Sequence, residues 1–331
     1  MLHICLKFIL LSILINLTYG CPGSLTFVPI DQAFGEKFGE QVVTNNGYGA
    51  NLLLKSNTGS SGFKSQLYYD SGLFSAYIKL PPQNYTAGVV VTFYTSNNEK
   101  YPNNHDEIDF EFLGHNDTEQ WLLQTNFYGN GSMARGREER YSLWFDPSKE
   151  AHKYSIFWDA DQILYYIDDL IIRKVQKVDG MARDFPSKPM KLYATNWDGS
   201  GWATDGGKYK ANWTFEPFVA EYTNFTVAGC RFHPDKKLTF CGGDGSYTVC
   251  GPTTPVDLMK YKEFRNQHLI YSYCDDKGRY NPLLPECLVQ SGSTGNEKVR
   301  NQESWSKEYV DKLRFYHNQF NQIVRRQSIG N

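Results

Sequence analysis

His105-Asp-Glu-Ile-Asp-Phe-Glu-Phe-Leu-Gly114 is the stretch on which the reading of this chain turns. As a β-strand it places Ile108, Phe110 and Phe112 on one face and Glu107, Asp109 and Glu111 on the other, because strand side chains alternate with period two. Three acids on one face repel one another at neutral pH, and the repulsion raises at least one pKa. One carboxylate can then stay ionised as a nucleophile while another keeps its proton as a general acid. Glu107 and Glu111 are four residues apart, roughly 13 Å between Cα atoms on a flat strand. A retaining glycosidase needs carboxyl groups about 5–5.5 Å apart, so both side chains must lean inward, with the shorter Asp109 between them. The alternative is an exposed strand with a solvated acidic face.

Around this strand the chain consists of short β runs separated by turns. Ala50–Leu54, Phe74–Leu80, Gly88–Tyr94, Leu122–Phe127, Tyr154–Trp158, Ile163–Ile167 and Met190–Thr195 fit strands. Asn46-Gly47, Asn57-Thr58-Gly59, Asp169 and Asp198-Gly199 punctuate them. Many short strands with few helical windows predict an all-β antiparallel sandwich from residue 21 to 254. Pro252 to Pro255 reads as a linker. Val256 to Tyr273 then has apolar residues at helical spacing, so a helical extension is expected over 255–290. A polar tail fills 291–331, and Trp305, Tyr309, Leu313, Tyr316 and Phe320 give it one weakly amphipathic helix.

The chain has 331 residues, and 34 Lys and Arg nearly balance 36 Asp and Glu. That balance gives no field suited to nucleic acid or anionic lipid, and a neutral polysaccharide fits it. Aromatics make up 15%, enough to fill a β-sandwich core and still leave rings for stacking on sugars. Residues 1–20 read as a secretory signal, with Lys7 ahead of an apolar run and small residues before the cut. No later run is long enough to span a membrane, so a secreted protein with no membrane insertion is expected. In that setting the six remaining cysteines read as disulfides, and sequence alone allows 15 pairings. Neither CxxC nor His-rich spacing points to zinc, and no metal or cofactor is expected. Sequons at Asn84, Asn116, Asn130, Asn212 and Asn224 are candidate glycan sites.

Gln124 and Asn126 alternate onto one face of a neighbouring strand, where they could hydrogen-bond sugar hydroxyls. Arg137 could donate to hydroxyls or steady a carboxylate. Trp197 and Trp202 lie in the Gly-rich stretch NWDGSGWATDGG and suit sugar stacking, with core packing the alternative for at least one. His105 reads as a structural histidine with no part in proton transfer.

The HDEIDFEFLG strand closely resembles that of plant xyloglucan endotransglucosylase/hydrolases in glycoside hydrolase family 16. TAGVVVTFYTSN, LQTN, GREERYSLWFDP and KPMKLYATNWDGSGWATDGGKYKANW share the resemblance, which runs from about residue 27 to 288. YPNNHDEIDF and the extended tail resemble the family's third group. The resemblance implies a curved β-jelly-roll sandwich with an open cleft, lengthened on the acceptor side by the C-terminal extension. It implies Glu107 as nucleophile, Glu111 as acid/base and Asp109 as helper. It assigns sugar binding to Glu111, to Gln124, Thr125 and Asn126, to Gly136, Arg137 and Glu138, to Trp197, Gly201, Trp202 and Gly206, and to Arg279. Gly136 and Gly201 stand where the family more often has a polar residue. The implied disulfides are Cys230–Cys241 and Cys274–Cys287, leaving Cys21 and Cys250 outside the usual pattern. Relatives carry a glycan just after the acidic strand, and His115 shifts that register by one at Asn116. The implied activity is cutting and rejoining of xyloglucan between donor and acceptor chains in the cell wall and apoplast, by a monomer. A mainly hydrolytic xyloglucanase and a non-catalytic glucan-binding lectin are the alternatives.

Overall fold

In the computed structural model the described residues are 26–117, 120–233, 238–240 and 255–288. The expected signal, Cys21, Cys241, Cys250 and the 291–331 tail lie outside them. The chain divides into two compact units, 1–286 and 287–331, and nearly all the described residues belong to the first.

Among the described residues that unit is all-β, apart from a one-turn helix α1 (Ile30–Ala33), the helix α2 (Pro255–His268) and short 3-10 turns. Its strands are β1 (Phe34–Phe38), β2 (Glu40–Thr44), β3 (Gly49–Leu54), β4 (Ser60–Ser65), β5 (Tyr68–Lys79), β6 (Val89–Ser96), β7 (Glu107–Leu113) and β8 (Leu122–Tyr128). They continue with β9 (Glu139–Ser142), β10 (His152–Trp158), β11 (Gln162–Ile167), β12 (Leu170–Gln176), β13 (Lys191–Asp198), β14 (Phe218–His233), β15 (Leu238–Phe240) and β16 (Leu269–Ser272). One antiparallel sheet runs β1-β4-β13-β6-β7-β8-β9-β16, and the second runs β12-β11-β10-β5-β14-β3-β2 with β15 beside β14. The acidic strand β7 is interior to the first sheet, hydrogen-bonded to β6 and β8 along its whole length. All seven strand runs read from the sequence are strands here.

The two sheets meet through the faces that alternation selects. Ile108, Phe110 and Phe112 are fully buried. Phe110 packs edge-on against Tyr165 (5.3 Å) and Tyr154 (5.7 Å), and Phe112 against Tyr154 (4.7 Å). Each such burial contributes about 1.5–3 kcal/mol. Because this face is committed to the core, the acids are fixed on the outer face.

The helix expected from Val256 to Tyr273 ends five residues early. Leu269–Ser272 instead becomes β16, paired with β9. Without β16 the β9 edge would present unpaired backbone groups, and that tertiary pairing outweighs helical spacing over four residues. The extension is also fastened by a buried ion network. Arg265 of α2 donates to both oxygens of Glu139, at 2.6 and 2.8 Å, and Arg173 of β12 lies 3.4 Å from the same carboxylate. Tyr141 and Ser272 hydroxyls donate to it as well. Burial alone would push Glu139 up, but Arg265 and then Arg173 overcome it and hold the acid at about 2. Removing one partner from such a pair leaves buried charge uncompensated, which costs about 3–5 kcal/mol. Glu139→Ala should therefore lower the thermal midpoint by roughly 10 °C, measured by calorimetry; a loss within a degree or two would show that the network carries no such weight.

Candidate active site

On the outer face, cross-strand register decides which residues surround each acid. Glu107 lies between Ser96 of β6 and Tyr128 of β8, Asp109 between Tyr94 and Asn126, and Glu111 between Thr92 and Gln124. Glu107 and Glu111 are partly exposed, whereas Asp109 is 4% exposed. The strand thus presents two reachable carboxyls with a covered one between them.

All three pKa values are raised, and burial is the leading cause in each case. Asp109 is raised most, because the charges of Glu111 and Glu107 add to burial while Arg173 beneath the sheet offsets part of it. Its Oδ1 is buried without a hydrogen-bond partner. For Glu111, burial and the charges of Glu107 and Glu138 push the carboxyl up to about 7, against a hydrogen bond from Gln124. Glu107 is pushed up by burial, while the Ser96 and Tyr128 hydroxyls on the neighbouring strands favour its ionised form. The two flanking glutamates are therefore unequal: one is tuned to hold a proton near neutrality and the other is given donors for a negative charge.

Gln124 donates to Glu111 Oε2 at 2.5 Å, and its own Oε1 accepts from Arg140 Nε at 2.8 Å. Arg140 thus fixes which end of the amide faces the acid. Asn126 spends its Oδ1 on the Arg137 backbone N–H at 2.7 Å. Beside Glu107, the stacked rings of Tyr94 and Tyr193 (4.8 Å) help line a cavity of about 270 Å³.

The structure brings together only part of the expected binding set. Thr125 faces the core, since period two turns it away from Gln124 and Asn126; its hydroxyl accepts from Arg173 at 2.9 Å. Arg137 is 0% exposed, with its guanidinium on Glu286 and Asp184. It steadies carboxylates and offers nothing to sugar hydroxyls. Arg279 pairs with both oxygens of Glu138, at 2.6 and 3.2 Å, and a Cβ on Gly136 would lie 2.4 Å from that carboxylate. Glycine at 136 is what lets this pair close. Trp197 packs on Val90, Leu113 and Ala203, while Trp202 beside it (6.2 Å) is 37% exposed and keeps a face for stacking. Gly201 and Gly206 are exposed, with open space around each. Sequence reading missed Ser96, Tyr128 and Arg140; register counted outward from Glu107 and Glu111 finds the first two.

Cys230, Cys274 and Cys287 are each disulfide-bonded. The expected partner of Cys230, Cys241, lies outside the described residues. Asn84 and Asn212 are exposed, and Asn130 and Asn224 are half-buried. Asn116 is 6% exposed.

Residues 31–215 match the glycosyl hydrolases family 16, and the chain belongs to that family. Residues 252–287 match the xyloglucan endo-transglycosylase (XET) C-terminus. Over 279 residues, 83% of each chain, it is 44% identical to the probable xyloglucan endotransglucosylase/hydrolase protein 28 of Arabidopsis thaliana. To protein 27 of that series it is 45% identical, covering 83% of this chain and 84% of the relative. To protein 30 it is 49% identical, covering 72% and 70%. Among the described residues no helix is long and apolar enough to cross a membrane.

Proposed function

We propose that this protein cleaves the β-1,4-glucan backbone of xyloglucan with retention and joins the new end to another xyloglucan chain, as a secreted monomer in the cell wall. One observation carries the reading: two partly exposed glutamates share a strand face with a buried aspartate between them, and their environments pull their pKa values apart. The relatives, named as xyloglucan endotransglucosylase/hydrolases, supply the substrate.

In the first step the Glu107 carboxylate attacks the anomeric carbon of a backbone glucose. The glycosidic C–O bond breaks, and Glu111 gives its proton to the departing oxygen. A glycosyl ester on Glu107 results. In the second step ionised Glu111 takes the proton of an acceptor hydroxyl, whose oxygen displaces Glu107 from the same carbon. Two inversions restore the starting configuration. Asp109, covered between them and raised well above the usual carboxyl range by burial and then by the charges of Glu111 and Glu107, is the helper between the two. Gln124 and Trp202 hold the sugar, and Arg279 lies on the acceptor side.

Incubation of xyloglucan with a labelled oligosaccharide should place label in high-molecular-weight polymer. A falling viscosity with no incorporated label would replace transfer by hydrolysis as the main activity. Calorimetric binding without any bond cleavage would replace both by a lectin.

A further inference from the structure

We propose that His105 and Tyr128 form a hydrogen-bond chain that positions the Glu107 carboxylate for attack, with His105 acting only through Tyr128. The inference rests on the reading of Glu107 as nucleophile. His105 Nε2 lies 2.8 Å from the Tyr128 hydroxyl, and the two rings meet edge-on at 5.2 Å. Tyr128 is the cross-strand partner of Glu107 on the same face of the sheet, which sets its hydroxyl beside that carboxyl. His105 and Tyr128 are 5% and 6% exposed, so water does not compete for these bonds.

A single phenolic proton decides the direction of the chain. An ionised carboxylate only accepts, so Tyr128 must donate to Glu107. The His105 contact must then run from the ring N–H to the phenolic oxygen. The other ring nitrogen, Nδ1, is buried without a hydrogen-bond partner; the Pro102 carbonyl comes near the ring but out of bonding geometry with that atom. A bare lone pair there costs less than an orphaned N–H, so the proton sits on Nε2, as the chain requires. Burial also holds His105 below its usual range, which keeps the ring neutral.

The backbone beneath is clamped. The His105 carbonyl accepts from Gly131 N at 2.7 Å, while Asp106 accepts from the backbone N–H groups of Asn130, Ser187 and Lys188 and from the Lys188 ammonium. A ring fixed in this way can set the Tyr128 hydroxyl at one angle, leaving the other Glu107 lone pairs free for the sugar carbon. The ionisable groups facing Glu107 are Asp109 and Glu111 on its own strand, Tyr94 on β6 and Tyr193 on β13, with Lys64 and Glu99 across the cavity. Those facing His105 are Asp106 and Lys188.

The test is the acid limb of kcat/KM for transfer to a labelled acceptor, measured in Tyr128→Phe, His105→Leu, His105→Gln and the Tyr128→Phe/His105→Leu double variant. Losing a hydrogen bond to the charged form raises the pKa of a carboxylate. Tyr128→Phe should move the limb up by about one pH unit, a roughly tenfold loss below it. His105→Leu should give a smaller shift of the same sign that vanishes in the double variant. His105→Gln, which keeps a side-chain N–H, should restore much of the limb. An unmoved limb in Tyr128→Phe overturns the proposal, and so does a His105→Leu effect that is undiminished when Tyr128→Phe is already in place. The first criterion stands even if His105→Leu fails to fold, because Tyr128→Phe removes a single oxygen. Failure of the underlying reading is separate: it would appear as turnover in Glu107→Ala, whereas an inactive Glu107→Ala with additive double variants removes only the chain.

Discussion

Glu107→Ala should abolish xyloglucan cleavage and transfer, with kcat reduced by at least ~10⁴-fold. Alanine removes the only atoms that can form the ester, and nothing nearby replaces them. Asp109 is 4% exposed, and Glu111 serves the leaving group and then the acceptor. Azide gives this variant a readout of its own. It fits the space vacated by the carboxylate and attacks the anomeric carbon from the same side. With a substrate carrying an activated leaving group, the single displacement should yield an α-glycosyl azide. No such product should form in Glu111→Ala, where the nucleophile remains and azide replaces the acceptor, giving the β product. Near-normal turnover in Glu107→Ala would remove the nucleophile assignment, and a β-azide from it would show that a second carboxylate substitutes.

The acidic strand was legible because period-two alternation is a local rule. With Ile108, Phe110 and Phe112 needed inside, the three acids had nowhere to face but out. The neighbouring strands were legible for the same reason, though their partners were not. Ser96 and Tyr128 meet Glu107 only through register, which depends on how loops tens of residues away close. Thr125 sits inside a binding motif, yet its hydroxyl points to the core, and only knowing which face of β8 is buried separates it from Gln124 and Asn126. Arg137 shows the reverse problem. A guanidinium in a polar loop reads as a surface group, but Glu286, 149 residues on, and Asp184 draw it fully inside. The Glu139–Arg265 pair spans 126 residues, and helical spacing shows no sign of it. The misread end of α2 has the same origin: an exposed β9 edge decides the fate of Leu269–Ser272.

Glu111 carries the second large effect, and its sign follows from its environment. Held up at about 7, it is protonated below neutrality and can donate to the leaving oxygen. Glycosylation by the wild-type enzyme should therefore decline as pH rises through about 7, giving an alkaline limb in kcat/KM. Glu111→Ala should lose roughly 10²–10⁴-fold on xyloglucan, whose sugar leaving group needs a proton. On an aryl glycoside with an acidic phenol the first step should be far less impaired, and the alkaline limb should disappear. A limb that survives in Glu111→Ala would assign the proton to another group. Stability supplies an independent check. Between its unfolded value, 4.5, and about 7 the folded protein keeps a proton that the unfolded chain releases, so stability falls as pH rises across that window. Glu111→Gln has no proton to lose. Its thermal midpoint should match the wild type near pH 4 and exceed it by a few degrees at pH 8. The acid that makes the site reactive at neutral pH is then also one that weakens the sheet around it, and a variant no more stable at pH 8 than at pH 4, relative to wild type, would break that link.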